Sequence, residues 1–193
     1  GAEKFLEKDE KMTGKPMLDY LKDTVLREIG FSENSYMLKD PFGTSMRGSG
    51  LMATPEDFLR VGMLLMNQGE INGKQLISRE YLEEACSVQV ENLVKGGDIF
   101  EQQGYGYQFW CGAEGSFMCF GMGGQLILCF PKQDLLCVTT ADTQGINGGN
   151  WQIVNAVCEE LLPVLSENPL PLAEKDWQEL EEYGKQLHLL SAS

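Results

Sequence analysis

The chain reads as an α+β domain in which helices pack on one face of a three-stranded antiparallel meander sheet. Three observations predict this. Capped amphipathic segments fill the first half of the chain. An alternating aromatic segment and two apolar runs then follow one another between about 105 and 141, joined by a short turn, as strands of a meander do. A further helical segment closes the unit near residue 165. Blocks of helix and strand, without regular βαβ alternation, separate this class from parallel α/β folds.

Residues 3–12 are charged and read as a helical turn or a frayed end. Pro16 suits a first helical position, and Leu18, Leu21, Val25 and Ile29 recur at helical spacing before Gly30. Residues 31–50 read as a loop rich in Ser, Gly, Asp and Pro. Thr54 is an N-cap, Pro55 a first helical residue, and Glu56 and Asp57 helix-start charges, with Asp57 at near capping-box spacing. Phe58, Val61, Leu64 and Leu65 mark the buried face of this helix, and Gly69 ends it. Asn72-Gly73 predicts a tight hairpin turn, and Ser78 caps a short helix through Ala85. Residues 87–103 are polar and read as an exposed excursion.

Tyr105, Tyr107 and Phe109 alternate as a half-buried strand should, and both tyrosines are assigned to sheet packing. Residues 116–130 read as one strand, 134–141 as the next, with Pro131–Asp134 turning between them. Asp142 follows the last strand and is placed as a turn residue, with a cleft wall as the alternative. Asn150 is placed as the cap of a helix to about Leu165, with Trp151, Val154, Val157 and Leu161 on one face. The chain divides into residues 1–166 and a tail, 167–193, in which Asn168–Pro171 is a linker and Asp176–Leu187 a short helix.

With 193 residues, 42% hydrophobic and 23% charged, the chain can bury one sizeable core. A net charge of −14 without a basic stripe argues against nucleic acid and against anionic membrane surfaces. No stretch is apolar enough for a membrane span. The six cysteines form no CxxC pair, and Cys119, Cys129, Cys137 and Cys158 sit within apolar runs, so buried free thiols are expected, which suit a reducing setting. A zinc site is disfavoured, because His188 is the single histidine, placed as a solvent-facing residue near a helix end.

The candidate site is the run Gly121, Met122, Gly123, Gly124 and Gln125. Glycines inside an apolar strand cost packing and entropy, and they are tolerated for a bulge or for close approach of another backbone or a ligand. Two readings stand: a tightly packed bulge or hairpin, with Met122 a core or rim side chain, or the wall of a site.

Several stretches in order carry a resemblance. They are Gly14-Lys15-Pro16-Met17-Leu18-Asp19-Tyr20-Leu21, the glycine-rich lead Gly48–Phe58, the turn and cap Gly69–Ser78, the aromatic Tyr105–Trp110, and Gly121–Pro131. Together, over about residues 13–165, they resemble the C-terminal part of the serine β-lactamase-like hydrolases: class C β-lactamases, penicillin-binding transpeptidase-like DD-peptidases, and related esterases and amide hydrolases. The resemblance implies a parent enzyme that acylates a serine with a small-molecule ester, amide or β-lactam, using neither cofactor nor metal. That chemistry needs S-x-x-K, a serine one helical turn from its activating lysine. The chain contains no S-x-x-K, since Ser35 and Lys39 are one residue too far apart. The family's Tyr-x-Asn or Ser-x-Asn motif belongs before Gly14. The expectation is therefore a fragment, inactive alone, whose truncated sheet surface favours self-association.

The family's third motif, Lys-Thr-Gly or His-x-Gly, falls on Gly121–Gln125, where Met122 supplies neither charge nor proton transfer. This fits divergent esterase- or amidase-like members, with a backbone N–H near Gly124 or Gln125 as an oxyanion donor. The alternative is a non-catalytic module of the same fold that binds a ligand or partner.

Overall fold

The architecture is α+β and the large sheet antiparallel, but that sheet has five strands, not three. The computed structural model describes residues 14–43, 45–46, 48–92, 104–165 and 173–191. Helix α1, Met17–Leu21, runs into a π-helical turn, Lys22–Leu26. The segment 31–50, expected to be loop, contributes β1, Tyr36–Met37, which pairs with β2, Leu51–Met52. Helix α2 is Pro55–Met66. The hairpin β3, Glu70–Ile71, and β4, Lys74–Gln75, turns at Asn72 and Gly73, both at positive φ, as the Asn-Gly pair predicts. Helix α3, Arg79–Ala85, is capped by the Ser78 hydroxyl, which accepts from the Tyr81 amide.

The five-stranded sheet runs in sequence order: β5, Gly104–Tyr105; β6, Trp110–Cys111; β7, Phe117–Phe120; β8, Leu126–Phe130; β9, Leu135–Thr139. Helix α4, Gly149–Ala156, continues through a π-helical turn, Val157–Leu161, and a 3-10 turn, Leu162–Val164. Helix α5 is Glu174–Ser191 and carries His188. Residues 3–12, most of the 87–103 excursion and the Asn168–Pro171 linker lie outside the described residues.

Both extra strands come from reversals that apolar periodicity hides. The run 116–130 folds back on itself. Gly123 and Gly124 take positive φ, and Phe120 pairs with Leu126. The aromatic alternation at 105–109 is also a reversal. Gln108 sits at φ 67, the Gly106 amide donates to the Phe109 carbonyl at 2.8 Å, and Tyr105 pairs with Trp110. Gly106 is required there, because a Cβ would run into the backbone carbonyl of Ala85. Tyr105 packs edge-on against Trp110, whereas Tyr107 reaches outward and its hydroxyl donates to Glu84 Oε1.

Helices cover both faces of the sheet rather than one. Ile127 and Cys129 of β8, with Phe117, meet Leu65 of α2 and Leu82 of α3. Leu126, Leu128 and Phe130, on the opposite face, pack with Met118 and with Val154 and Val157. Every residue of β8 is therefore buried. Each such side chain contributes about 1.5–3 kcal/mol. Helix α2 approaches this sheet closely at Gly62, where a Cβ would lie 2.6 Å from Leu136 Cδ1 and 3.0 Å from Ile127 Cγ2.

The start of α2 is held by a carboxylate with no exposed surface. Asp57 Oδ2 accepts from the Thr54 amide at 3.0 Å, and the Thr54 hydroxyl accepts from the Asp57 amide at 3.2 Å, completing a capping box with Asp in the usual Glu position. Asp57 Oδ1 also accepts from the Ser32 amide at 2.7 Å, which ties the segment after α1 to α2. Burial alone would raise this carboxyl, but the amides of Thr54 and Ser32 outweigh it and hold it below its ordinary 3.8. The charged form is the one the fold stabilises. The contribution is present above the unfolded value near 3.8 and is lost as pH falls through the lower folded value.

Asp57→Ala, which strands two amides, should cost about 2–4 kcal/mol in urea denaturation at neutral pH. The stability gap between wild type and Asp57→Asn should shrink as pH drops below 3.8. Gly62→Ala should destabilise by about 1–3 kcal/mol despite the better helix propensity of alanine, measured the same way.

Candidate functional site

Gly121–Gln125 forms the hairpin turn between β7 and β8, not the interior of a strand, and all three of its glycine carbonyls are taken. Gly121 O accepts from Asn150 Nδ2 at 2.8 Å. Gly123 O accepts from the Thr143 amide at 3.1 Å. Gly124 O accepts from the Thr139 hydroxyl at 2.8 Å. The Gln125 side chain adds a bond from Nε2 to the Ala141 carbonyl at 2.8 Å. A trans peptide holds its C=O and N–H antiparallel. The amides of Met122, Gly124 and Gln125 therefore point away from these partners, and none of them donates a hydrogen bond among the described residues.

Glycine is needed at 124 on two counts. Its φ is +97, and a Cβ would lie 2.8 Å from Ala141 Cβ and 3.1 Å from Ile153 Cδ1. Gly149 meets the same demand from the other side, where a Cβ would lie 2.6 Å from Thr143 Cβ. The turn, the segment after β9 and the first turn of α4 are thus pressed together backbone to backbone. Asn150 is the hinge of this contact. The sequence places it as a helix cap, but Gly148, at φ 66, precedes the helix instead, and Asn150 Oδ1 accepts from the Thr143 hydroxyl at 2.6 Å. Asp142 keeps the turn role expected of it, accepting from the Gln144 amide at 3.2 Å.

An open cleft of about 500 Å³ lies over this junction. Its lining comes from Phe120, Met122 and Gly123 of the hairpin, from Thr143, Gln144 and Ile146 of the segment after β9, and from Gly148–Trp151. The Met122 side chain is 81% exposed at the rim. Trp151 forms the inner wall with Phe120, ring centroids 5.1 Å apart, and Trp110 backs both at 6.2 Å. Of the five candidate residues, Met122 and Gly123 line the cleft, Gly121 and Gly124 lock the turn behind it, and the Gln125 side chain is spent on Ala141. Thr143, Gln144 and Ile146 carried no sequence signal beyond a polar loop. A strand end followed by a helix start that carries Asn150 and Trp151 is the one available hint.

The lining contains no ionisable side chain. The cysteines supply no alternative nucleophile. All six are free. Burial, with Cys119 and Cys111 nearby, pushes the Cys86 thiol up to about 12, and burial pushes Cys119 to about 11 and Cys129 upward as well. These thiols stay protonated at neutral pH. Among the described residues no three His, Cys, Asp or Glu side chains gather to hold a metal ion, and no helix is long and apolar enough to cross a membrane.

Solved structures share this fold. A protein proposed to be a 6-aminohexanoate-dimer hydrolase, from Bacillus anthracis, matches at a TM-score of 0.61 and 27% identity, over 82% of this chain and 42% of its own. A proposed β-lactamase from Bacteroides dorei matches at 0.58 and 18% identity, over 72% and 50%. A β-lactamase from Mycobacterium bovis matches at 0.52 and 18%, over 80% and 60%. The chain has the fold of the β-lactamase-like serine hydrolases, and it spans between 42% and 60% of the length of these structures. No family model matches the sequence, and no curated protein does.

Asn150→Ala should release the Gly121 carbonyl and speed exchange of the hydrogen-bonded amides at this junction, Gly121 and Thr143, while leaving β8 protected, read by hydrogen exchange with NMR. The global cost should be about 1–2 kcal/mol.

Proposed function

We propose that this chain supplies one wall of the active site of a serine hydrolase that cleaves an ester, amide or β-lactam bond through an acyl-enzyme. The likeness to a protein proposed to be a 6-aminohexanoate-dimer hydrolase, over 82% of the chain, carries the reading, together with the cleft at the Gly121–Gln125 turn. In this reading the serine and its activating lysine come from residues outside this sequence, which has no S-x-x-K. The serine oxygen attacks the substrate carbonyl, and its proton passes to the leaving alcohol or amine. Water then cleaves the acyl ester and restores the serine. A free amide of the turn, at Gly124 or Gln125, is the proposed donor to the oxyanion. The chain alone is then inactive, and self-association through the β9 edge, which pairs with no further strand among the described residues, belongs to the same proposal.

Met122, standing where the family carries a basic residue, favours a second reading, a non-catalytic module that binds a ligand or partner. A chromogenic ester and a chromogenic β-lactam separate the two when offered to this chain and to a longer chain that includes the upstream sequence. Turnover by the longer chain alone is expected. Turnover by neither would leave the cleft as a binding surface only.

A further inference from the structure

Resting on the reading of this cleft as a substrate wall, we infer that the part of the ligand seated there is uncharged and apolar, and that a carboxylate is selected against. The lining offers Phe120, Trp151, Met122 and Ile146 as apolar surface and no cation to pair with an anion. Its polar side chains are all neutral. Thr143 and Asn150 are bonded to each other, and Asn150 also to Gly121. The Gln144 carboxamide is exposed and makes no hydrogen bond among the described residues, so it can bind an uncharged carbonyl or N–H at the rim. A carboxylate placed against Trp151 would lose water and gain no counter-charge. The net charge of −14 adds a long-range repulsion that salt removes, whereas the local desolvation cost survives salt. Met122 is the specificity-determining residue of this device. Its thioether covers the rim with soft apolar surface where a lysine would attract anions.

The test uses this chain, methyl- and indole-labelled for NMR, and a matched set of unreactive amides: butyranilide, its 4-carboxylate, and its 4-(trimethylammonio)methyl analogue. At high salt, butyranilide should shift the Met122 methyl and Trp151 indole signals with a Kd about tenfold lower than the carboxylate, and lower than the cation. Met122→Lys, at a side chain 81% exposed and so without consequence for folding, should erase or invert the neutral-over-anionic preference. Ile146→Lys, also exposed, should move it the same way. Equal or tighter binding of the carboxylate to wild type, or tighter binding of the cation, overturns the uncharged-ligand inference while leaving the cleft as a ligand site. Absence of any shift at Met122 and Trp151 with all three probes overturns the substrate-wall reading itself.

Discussion

Strand β8 is apolar on both of its faces, and the rest of the molecule follows from having to cover them. Leu126, Leu128 and Phe130 demand a helix on one side, and Ile127 and Cys129 demand one on the other. An antiparallel sheet that exposed either face would lay a continuous apolar surface against water. Helix α4 takes one face. Helices α2 and α3 take the other, and α2 reaches it only because Gly62 removes a side chain from the line of closest approach. The buried Asp57 then sets where α2 begins and draws the segment after α1 onto it through the Ser32 amide.

The cleft is a consequence of the same packing. Because α4 must lie flat on β8, its first turn arrives beside the hairpin that leads into that strand. Glycine at 124 and 149 lets the backbones meet, and Asn150 converts their contact into directed hydrogen bonds. Two features of the turn result. The turn is rigid, since its carbonyls are occupied, and its amides of Met122, Gly124 and Gln125 are left without partners among the described residues. The aromatic group of Trp110, Phe120 and Trp151 extends this wall with a stiff apolar surface. In the proposed reading such a wall orients a ligand by shape and neutral hydrogen bonds, and any charge needed for chemistry comes from outside the cleft lining.

The helices were legible because their signals are local. Thr54-Pro55-Glu56-Asp57 carries a cap, a first-position proline and dipole-matched charges within four residues, and α2 begins there. The Asn72-Gly73 turn is equally local. The strands were less legible. An apolar run has the same appearance whether it continues or doubles back, and the positive φ at Gln108, Gly123 and Gly124 that makes the difference leaves only a weak trace in residue type. Glycine at 123–124 suits a bulge within one strand as well as the hairpin that ends it, and residue type does not choose between them. Asn150 misleads for a related reason. An asparagine near a helix start is an ordinary cap, and its actual partner, the Gly121 carbonyl, lies 29 residues away.

The sequence by itself determined the class, the order of the helices, the capping of α2 and α3, the thiol character of the cysteines, and the glycine run as the place to look. Each rests on propensity, periodicity or covalent chemistry acting over a few residues. Tertiary structure alone decided that the sheet has five strands, that both its faces are covered, and which side chains share the cleft. Those outcomes depend on which surfaces meet. The meeting of Met122, Gln144, Ile146 and Trp151 is set by the mutual burial of β8 and α4, and no local pattern in the chain encodes it.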